Sequence, residues 1–291
     1  MSITEPRRVL LTGAGGFTGS YVVKALAAAG HEAVVPEARF DLTDAAALRD
    51  IVSKGEFDDV IHLAAISFVG HADAGEFYRV NTVGTINLLD AIAASGRDIG
   101  RVILASSANI YGNNPISPIA EDAPAAPVNH YAASKVAMEL MVRQWGERLP
   151  IIITRPFNYT GPGQSDRFLV PKIVAHFVRR DPVIELGNID VTRDFSDVRD
   201  VAGIYTQLLD APAGTLVNIC SGTGRSLRSI IEYCREKTGH DIEVRVNPAF
   251  VRADEIRELV GSDERLAKLI GQDTRRPLSE TLDAMLRLPN S

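Results

Sequence analysis

The stretch that most limits what this chain can become lies near its start. Arg8-Val-Leu-Leu-Thr12 reads as a short buried strand. Gly13-Ala-Gly-Gly16-Phe-Thr-Gly19 follows it directly, and an apolar run from about Ser20 to Ala29 has helical spacing. Strand, glycine-rich turn and helix in succession are the local context that a dinucleotide requires. Glycines let the turn close tightly and let backbone approach a pyrophosphate, while the helix N-terminus offers unpaired N–H groups and a positive dipole end. A purely structural turn would carry the same glycines, so the remaining chain has to supply the supporting context.

It does so as an alternation of strand and helix. His31–Val35 is a second strand. Glu37 falls 18 residues after Gly19, near the ~20-residue offset of the acid that holds the adenosine ribose hydroxyls. A carboxylate there would repel a 2′-phosphate and favours NAD over NADP; Arg39 pulls the other way, since an arginine can serve that phosphate. Asp41-Leu42 opens a turn before a helix at about 45–54. Asp58–Ala65 is the next strand, and its end, Leu63-Ala64-Ala65, is expected over the cofactor, because ligands of open parallel sheets bind beyond the strand C-termini. His62, inside that apolar strand, reads as a satisfied core residue rather than a catalyst. Phe77–Ile92 is a long amphipathic helix with a polar residue, Asn81, on a mostly apolar run, suited to ordering the helix or site water, or to capping a kink. Arg101–Ser107 is a fourth strand that ends in hydroxyls, 115–129 is an ordered loop, and Ile151–Thr154 is a further strand. The pattern implies βαβ units and an α/β fold with a Rossmann-type, doubly wound parallel sheet.

Tyr131-Ala-Ala-Ser-Lys135 adds chemistry to that frame. The run Tyr131–Trp145 has helical periodicity without Gly or Pro, so a phenol and an ammonium four residues apart share one face. A free phenol has a pKa of about 10. A neighbouring ammonium favours the phenolate and is expected to pull that value down. A serine such as Ser107 could hold a substrate carbonyl while proton and hydride move.

The alternation changes after Gly163, with a helix near 169–179, strands near 183–186, 215–219 and 243–247, and helices near 201–210, 227–238 and 264–269. The expected division is a dinucleotide-binding domain over 1–157 with a returning segment near 195–220, and a smaller C-terminal α/β substrate lobe over 158–194 and 221–291. The 291 residues are enough for one or two domains. With 31 basic against 37 acidic residues and no basic run, nucleic acid is not an expected partner. No apolar run reaches the ~20 residues of a membrane span, and MSITEPRRVLL lacks a signal-peptide layout. Cys220 and Cys234 have neither metal spacing nor the look of a disulfide framework, so a reduced, cytoplasmic protein without a metal is expected.

Gly13-x-x-Gly16-x-x-Gly19, the Asp41-Leu42 turn, His62-Leu63-Ala64-Ala65, Ser107, Tyr131-x-x-x-Lys135 and Arg155-Pro-Phe-Asn158 together resemble the extended short-chain dehydrogenase/reductase family, over nearly the whole chain. The resemblance implies a catalytic set of Ser107 to polarise the substrate, Tyr131 to carry the proton and Lys135 to bind the nicotinamide ribose. It places the cofactor on Gly13, Gly16, Phe17, Thr18 and Gly19, on Glu37, Arg39, Asp41 and Leu42, and on Leu63, Ala64, Ala65, Asn81 and Pro156. The second half, from Arg155 through Leu186-Gly-Asn188-Ile-Asp-Val-Thr-Arg193-Asp194-Phe195, is similar to a branch that acts on GDP-sugars as 4,6-dehydratases or 4-keto reductases. In that branch Ser107, Asn109, Asn158, Val170, Arg193, Arg252 and Glu255 would meet the nucleotide sugar. Dehydratases carry a glutamate where Asn109 stands, and an amide cannot take a proton from C5. The resemblance therefore points to reduction of a 4-keto sugar with NADH or NADPH, then to a 4-epimerase, and more weakly to a non-catalytic binding protein. It also implies a homodimer packed through the Asn81 and Tyr131 helices.

Overall fold

The computed structural model describes residues 5–36, 40–69, 71–250, 255–271 and 275–287. The opening alternation becomes β1 (Arg8–Thr12), α1 (Phe17–Ala28), β2 (Glu32–Val34), α2 (Ala45–Lys54), β3 (Asp59–His62), α3 (Ala74–Phe77), α4 (Gly84–Ala94), β4 (Val102–Ala105), α5 (His130–Met141) and β5 (Ile151–Pro156). Then follow β6 (Asn158–Thr160), α6 (Leu169–Arg179), β7 (Val183–Leu186), β8 (Thr192–Asp197), α7 (Val198–Gln207), β9 (Leu216–Ile219), β10 (Gly224–Ser226), α8 (Leu227–Thr238), β11 (Glu243–Val246), β12 (Glu258–Leu259), α9 (Glu264–Ile270) and α10 (Leu278–Leu286).

Six strands form one sheet in the order β2-β1-β3-β4-β5-β9, every neighbouring pair parallel. The chain leaves β1 toward β2 on one side and returns to β3 on the other. This reversal opens a crevice beyond the C-terminal ends of β1 and β3, the ligand position of such sheets. Alternate strand residues face opposite sides. Leu10, Val60, Val102 and Leu104 pack with α2, α4 and α5 through Leu48, Leu88 and Met138. Val9, Leu11, Ile61 and Ile103 pack with α1 and α7 through Val22, Leu26, Val201 and Tyr205. Apolar demand on both faces explains the near-continuous apolar strands.

Leu266 of α9 also lies in that second core, so the chain crosses back to the large sheet after residue 221 as well as at α7 and β9. A third core, with Val170, Phe177, Ile184, Ile230 and Leu282, unites α6, α8 and α10. A small sheet, β10-β8-β12 with β6 also on β8, joins this part to the strand ends.

The expected continuous helix over 77–92 is broken in register. Tyr78–Val83 forms a π-type turn between α3 and α4, and Asn81 sits in it, fully buried. Such widened turns are frequent at functional sites.

Candidate active site

Space dictates two of the turn's glycines. Gly13 has φ +78°, and a Cβ there would lie 2.7 Å from Ala64 N and 2.9 Å from the Leu63 carbonyl carbon. At Gly19 a Cβ would lie 2.1 Å from Gly13 O. The turn is therefore folded onto its own helix and against the end of β3. Gly16 caps α1 without any side-chain hydrogen bond, so the first-turn amides, Phe17 and Thr18 among them, keep no side-chain acceptor and suit an anion. This cradle fits a dinucleotide pyrophosphate. The Phe17 ring stacks on Tyr159 with centroids 6.5 Å apart, and the Thr18 hydroxyl pairs with the Tyr159 hydroxyl at 2.8 Å. Leu42 is buried against Gly84 of α4. Asp41 is exposed and accepts the Thr43 N–H at 2.8 Å, which keeps its carboxyl below the usual range. Glu37 and Arg39 lie outside the described residues.

Across the crevice mouth, Ser107, Tyr131 and Lys135 come together, each less than a tenth exposed. Asn129 starts α5 by accepting the Ala132 N–H at 2.9 Å, which aims Tyr131 inward. Ser107 caps the 3-10 turn Ala108–Tyr111; its oxygen accepts the Asn109 N–H at 3.2 Å and the Asn109 amide nitrogen at 3.3 Å. Its hydroxyl bonds Tyr131 and works against the burial that pushes the phenol up to about 12, with Tyr159 adding to the rise. The expectation that Lys135 brings the Tyr131 pKa below its ordinary value is therefore corrected. Burial wins, and the Lys135 ammonium is turned to the Ala105 carbonyl at 2.7 Å. Burial also pushes Lys135 down to about 8, opposed by Glu139.

Glu139 belongs to a buried network that the sequence reading missed. Its carboxylate takes Arg155 Nε at 3.0 Å and Nη2 at 2.7 Å. Arg155 Nη1 donates to the Tyr111 hydroxyl and to the Glu121 carbonyl, both at 2.9 Å. Tyr111 in turn donates to Asn218 Oδ1 at 2.7 Å. The guanidinium thus clamps α5, which carries Tyr131, to the turn that carries Ser107. The available signal was spacing: Tyr131, Lys135 and Glu139 repeat every fourth residue on one face of α5.

The remaining residues divide. Asn81 is central, holding the backbone of Ile66 from both sides and reaching Ser134 on α5. Leu63, Ala64 and Ala65 line the exit of β3, and Pro156 ends β5. Asn158 opens β6 half-buried. The Val170 side chain is enclosed in the lobe core, so it can offer a ligand only its backbone N–H in the first turn of α6. Arg193, on β8, donates to the Thr192 carbonyl at 2.8 Å and the Ile256 carbonyl at 2.5 Å, which places it beside half-buried Glu255. Its neighbour Asp194 is wholly buried and accepts from Ser221 and Gly222. Arg252 lies outside the described residues. Among the described residues no cluster could hold a metal ion, and no helix is long and apolar enough to cross a membrane.

Comparison with known proteins agrees with this geometry. The GDP-6-deoxy-D-talose 4-dehydrogenase of Aggregatibacter actinomycetemcomitans is 36% identical over 272 residues, 92% of each chain. The GDP-6-deoxy-D-mannose reductase of Pseudomonas aeruginosa is 35% identical over 96% of each chain. The solved structure of RMD from Pseudomonas aeruginosa complexed with NADPH superimposes with a TM-score of 0.87 and 34% identity, covering 97% of this chain and 96% of that one. Residues 9–220 match the model of the NAD dependent epimerase/dehydratase family. With its glycine cradle, its switch-point crevice and its Ser107–Tyr131–Lys135 constellation, the chain belongs to that NAD dependent epimerase/dehydratase family.

Proposed function

We propose that the chain reduces the 4-keto group of a nucleotide-diphosphate 6-deoxyhexose, with GDP-4-keto-6-deoxy-D-mannose as substrate and GDP-D-rhamnose as product. One observation carries this: a buried phenol and a serine hydroxyl face the crevice, and the side chain bonded to that serine is the amide of Asn109, which cannot serve as the base that dehydration would need. A reduction needs a proton donor and a polarising donor at the ketone, and both are at hand. The raised pKa of Tyr131 keeps the phenol protonated at neutral pH, the form in which an acid must meet its substrate.

Bound reduced nicotinamide supplies the hydride to C4. The C4 oxygen gains the carbonyl π pair and takes the Tyr131 proton, and the phenolate recovers a proton from solvent. Ser107 donates to the same oxygen and lowers the cost of its developing charge. Lys135 holds the cofactor ribose. Residues 1–157 with the returning segment 195–220 hold the dinucleotide, and 158–194 with 221–291 hold the sugar nucleotide, its diphosphate at Arg193. The enzyme works in the cytoplasm as a homodimer in which exposed Val83 and Leu140 meet their copies.

The test is incubation of the purified protein with GDP-4-keto-6-deoxy-D-mannose and NADPH, then NADH, while absorbance at 340 nm is followed. Stoichiometric loss of absorbance with formation of the reduced GDP-sugar is the expected result. No loss with either cofactor overturns the proposal.

A further inference from the structure

His62 ends β3 wholly inside the protein, and the mechanism above does not use it. Its partners, however, lie on both sides of the active site. Nδ1 is 2.7 Å from Thr12 Oγ1 and Nε2 is 3.1 Å from Thr85 Oγ1. Hydroxyl partners alone would leave the tautomer open, but the next bonds close it. The Thr85 hydroxyl hydrogen goes to the Asn81 carbonyl at 2.8 Å, so at the ring Thr85 can only accept. That puts the imidazole proton on Nε2. Nδ1 is then an acceptor and takes the Thr12 hydroxyl hydrogen, leaving the Thr12 oxygen to accept the Ala64 N–H at 3.3 Å. A doubly protonated ring would aim a second donor at Thr12 and orphan the Thr12 hydrogen, a cost a buried group does not recover from water.

The chain of bonds has one direction and two useful ends. At one end is the Ala64 peptide, the surface on which Gly13 rests so closely that a Cβ would not fit. At the other is the π-turn. There the Asn81 side chain accepts the Ile66 N–H at 2.9 Å and donates to the Ile66 carbonyl at 3.1 Å and to Ser134 Oγ at 3.2 Å. Ser134 then donates to the main-chain carbonyl of Tyr131 at 2.7 Å, and Thr82 donates to the Ser134 carbonyl at 2.9 Å. We propose that His62 is a positioning residue: a permanently neutral imidazole, locked as the Nε2–H tautomer, that sets the lip of the cofactor crevice in register with the helix carrying Tyr131. Burial, reinforced by the Lys135 ammonium, pushes the imidazole down to about 3, so the ring is neutral at pH 7 and stays so in mild acid.

Nitrogen-15 NMR of histidine-labelled full-length protein tests this without any sugar substrate. The His62 signals are identified by their loss in His62→Gln. The expected pattern at pH 7 is a protonated Nε2 and a bare Nδ1, unchanged on lowering the pH to 4.5. An Nδ1–H tautomer, or a cationic ring by pH 5, overturns the proposal. Titration with NADPH gives the functional arm. His62→Leu weakens NADPH binding roughly tenfold, as loss of a buried hydrogen-bonded link does, and lowers kcat more than it raises KM for the keto sugar. His62→Gln, which keeps an N–H toward Thr85, recovers most of both. Wild-type NADPH affinity in folded His62→Leu overturns the positioning role.

Discussion

The Arg155–Glu139 pair offers a quantitative test of what holds the catalytic face together. Both side chains are about nine-tenths buried, with relative exposures of 9% and 11%, so their energetics are those of an interior pair. Glu139→Leu removes both acceptors of the bidentate contact and leaves a buried guanidinium with only the Tyr111 hydroxyl and the Glu121 carbonyl. Arg155→Met strands the Glu139 carboxylate and takes a donor from those same two oxygens. Breaking a buried pair from one side costs about 3–5 kcal/mol, because an uncompensated charge stays behind. In the double variant no charge remains. The Glu121 carbonyl loses its donor, at about 1–3 kcal/mol, the Tyr111 oxygen loses one too but its hydroxyl still donates to Asn218, and apolar packing offsets part of the loss. The double variant is therefore expected to be more stable than either single variant, with a coupling of roughly 3 kcal/mol or more between the sites. Urea unfolding of the four proteins, followed by circular dichroism, measures it. Additivity within about 0.5 kcal/mol would show that the two groups do not form a coupled interior pair and would refute the clamp between α5 and the Ser107 turn.

Tyr131→Phe is expected to abolish keto-sugar reduction while NADPH still binds, and Ser107→Ala to lower kcat by 10²-fold or more, the usual worth of an oxyanion donor; turnover by Tyr131→Phe at the wild-type rate would remove the proposed acid. Gly19→Ala meets Gly13 O at 2.1 Å and Gly15→Ala meets nothing within 4 Å, so the first should lose NADPH binding and stability while the second retains both, as calorimetry and fluorescence titration will show. The pH dependence follows from His62, whose folded value of about 3 lies below its ordinary 6.5. Between those values the unfolded chain takes up a proton that the native protein refuses, so stability falls as pH falls, by up to about 1.4 kcal/mol per pH unit. His62→Gln should flatten that part of the slope between pH 6 and pH 4; an unchanged slope would point to other groups.

Much of this protein was readable along the chain because the relevant signals are local. Apolar runs such as Val9–Leu11 and Val102–Leu104, alternating with helical segments, suit a parallel sheet covered on both faces, and the need for Gly19 arises from Gly13 within the same turn. The four-residue interval from Tyr131 to Lys135 puts two groups on one helix face wherever that helix docks. What the chain alone could not decide depends on partners distant in sequence. Thr192–Asp197, a largely polar run with no element assigned from sequence, is a strand because β6, β10 and β12 pair with it from three other segments. Tyr131 has its pKa raised rather than lowered, because the depth of the site and the turning of Lys135 toward Ala105 outweigh proximity along a helix. His62 has one tautomer because Thr12, Thr85 and Asn81 meet around it. Spacing determines which groups share a surface, whereas desolvation and hydrogen-bond direction depend on everything packed against that surface, and only the folded chain brings those neighbours together.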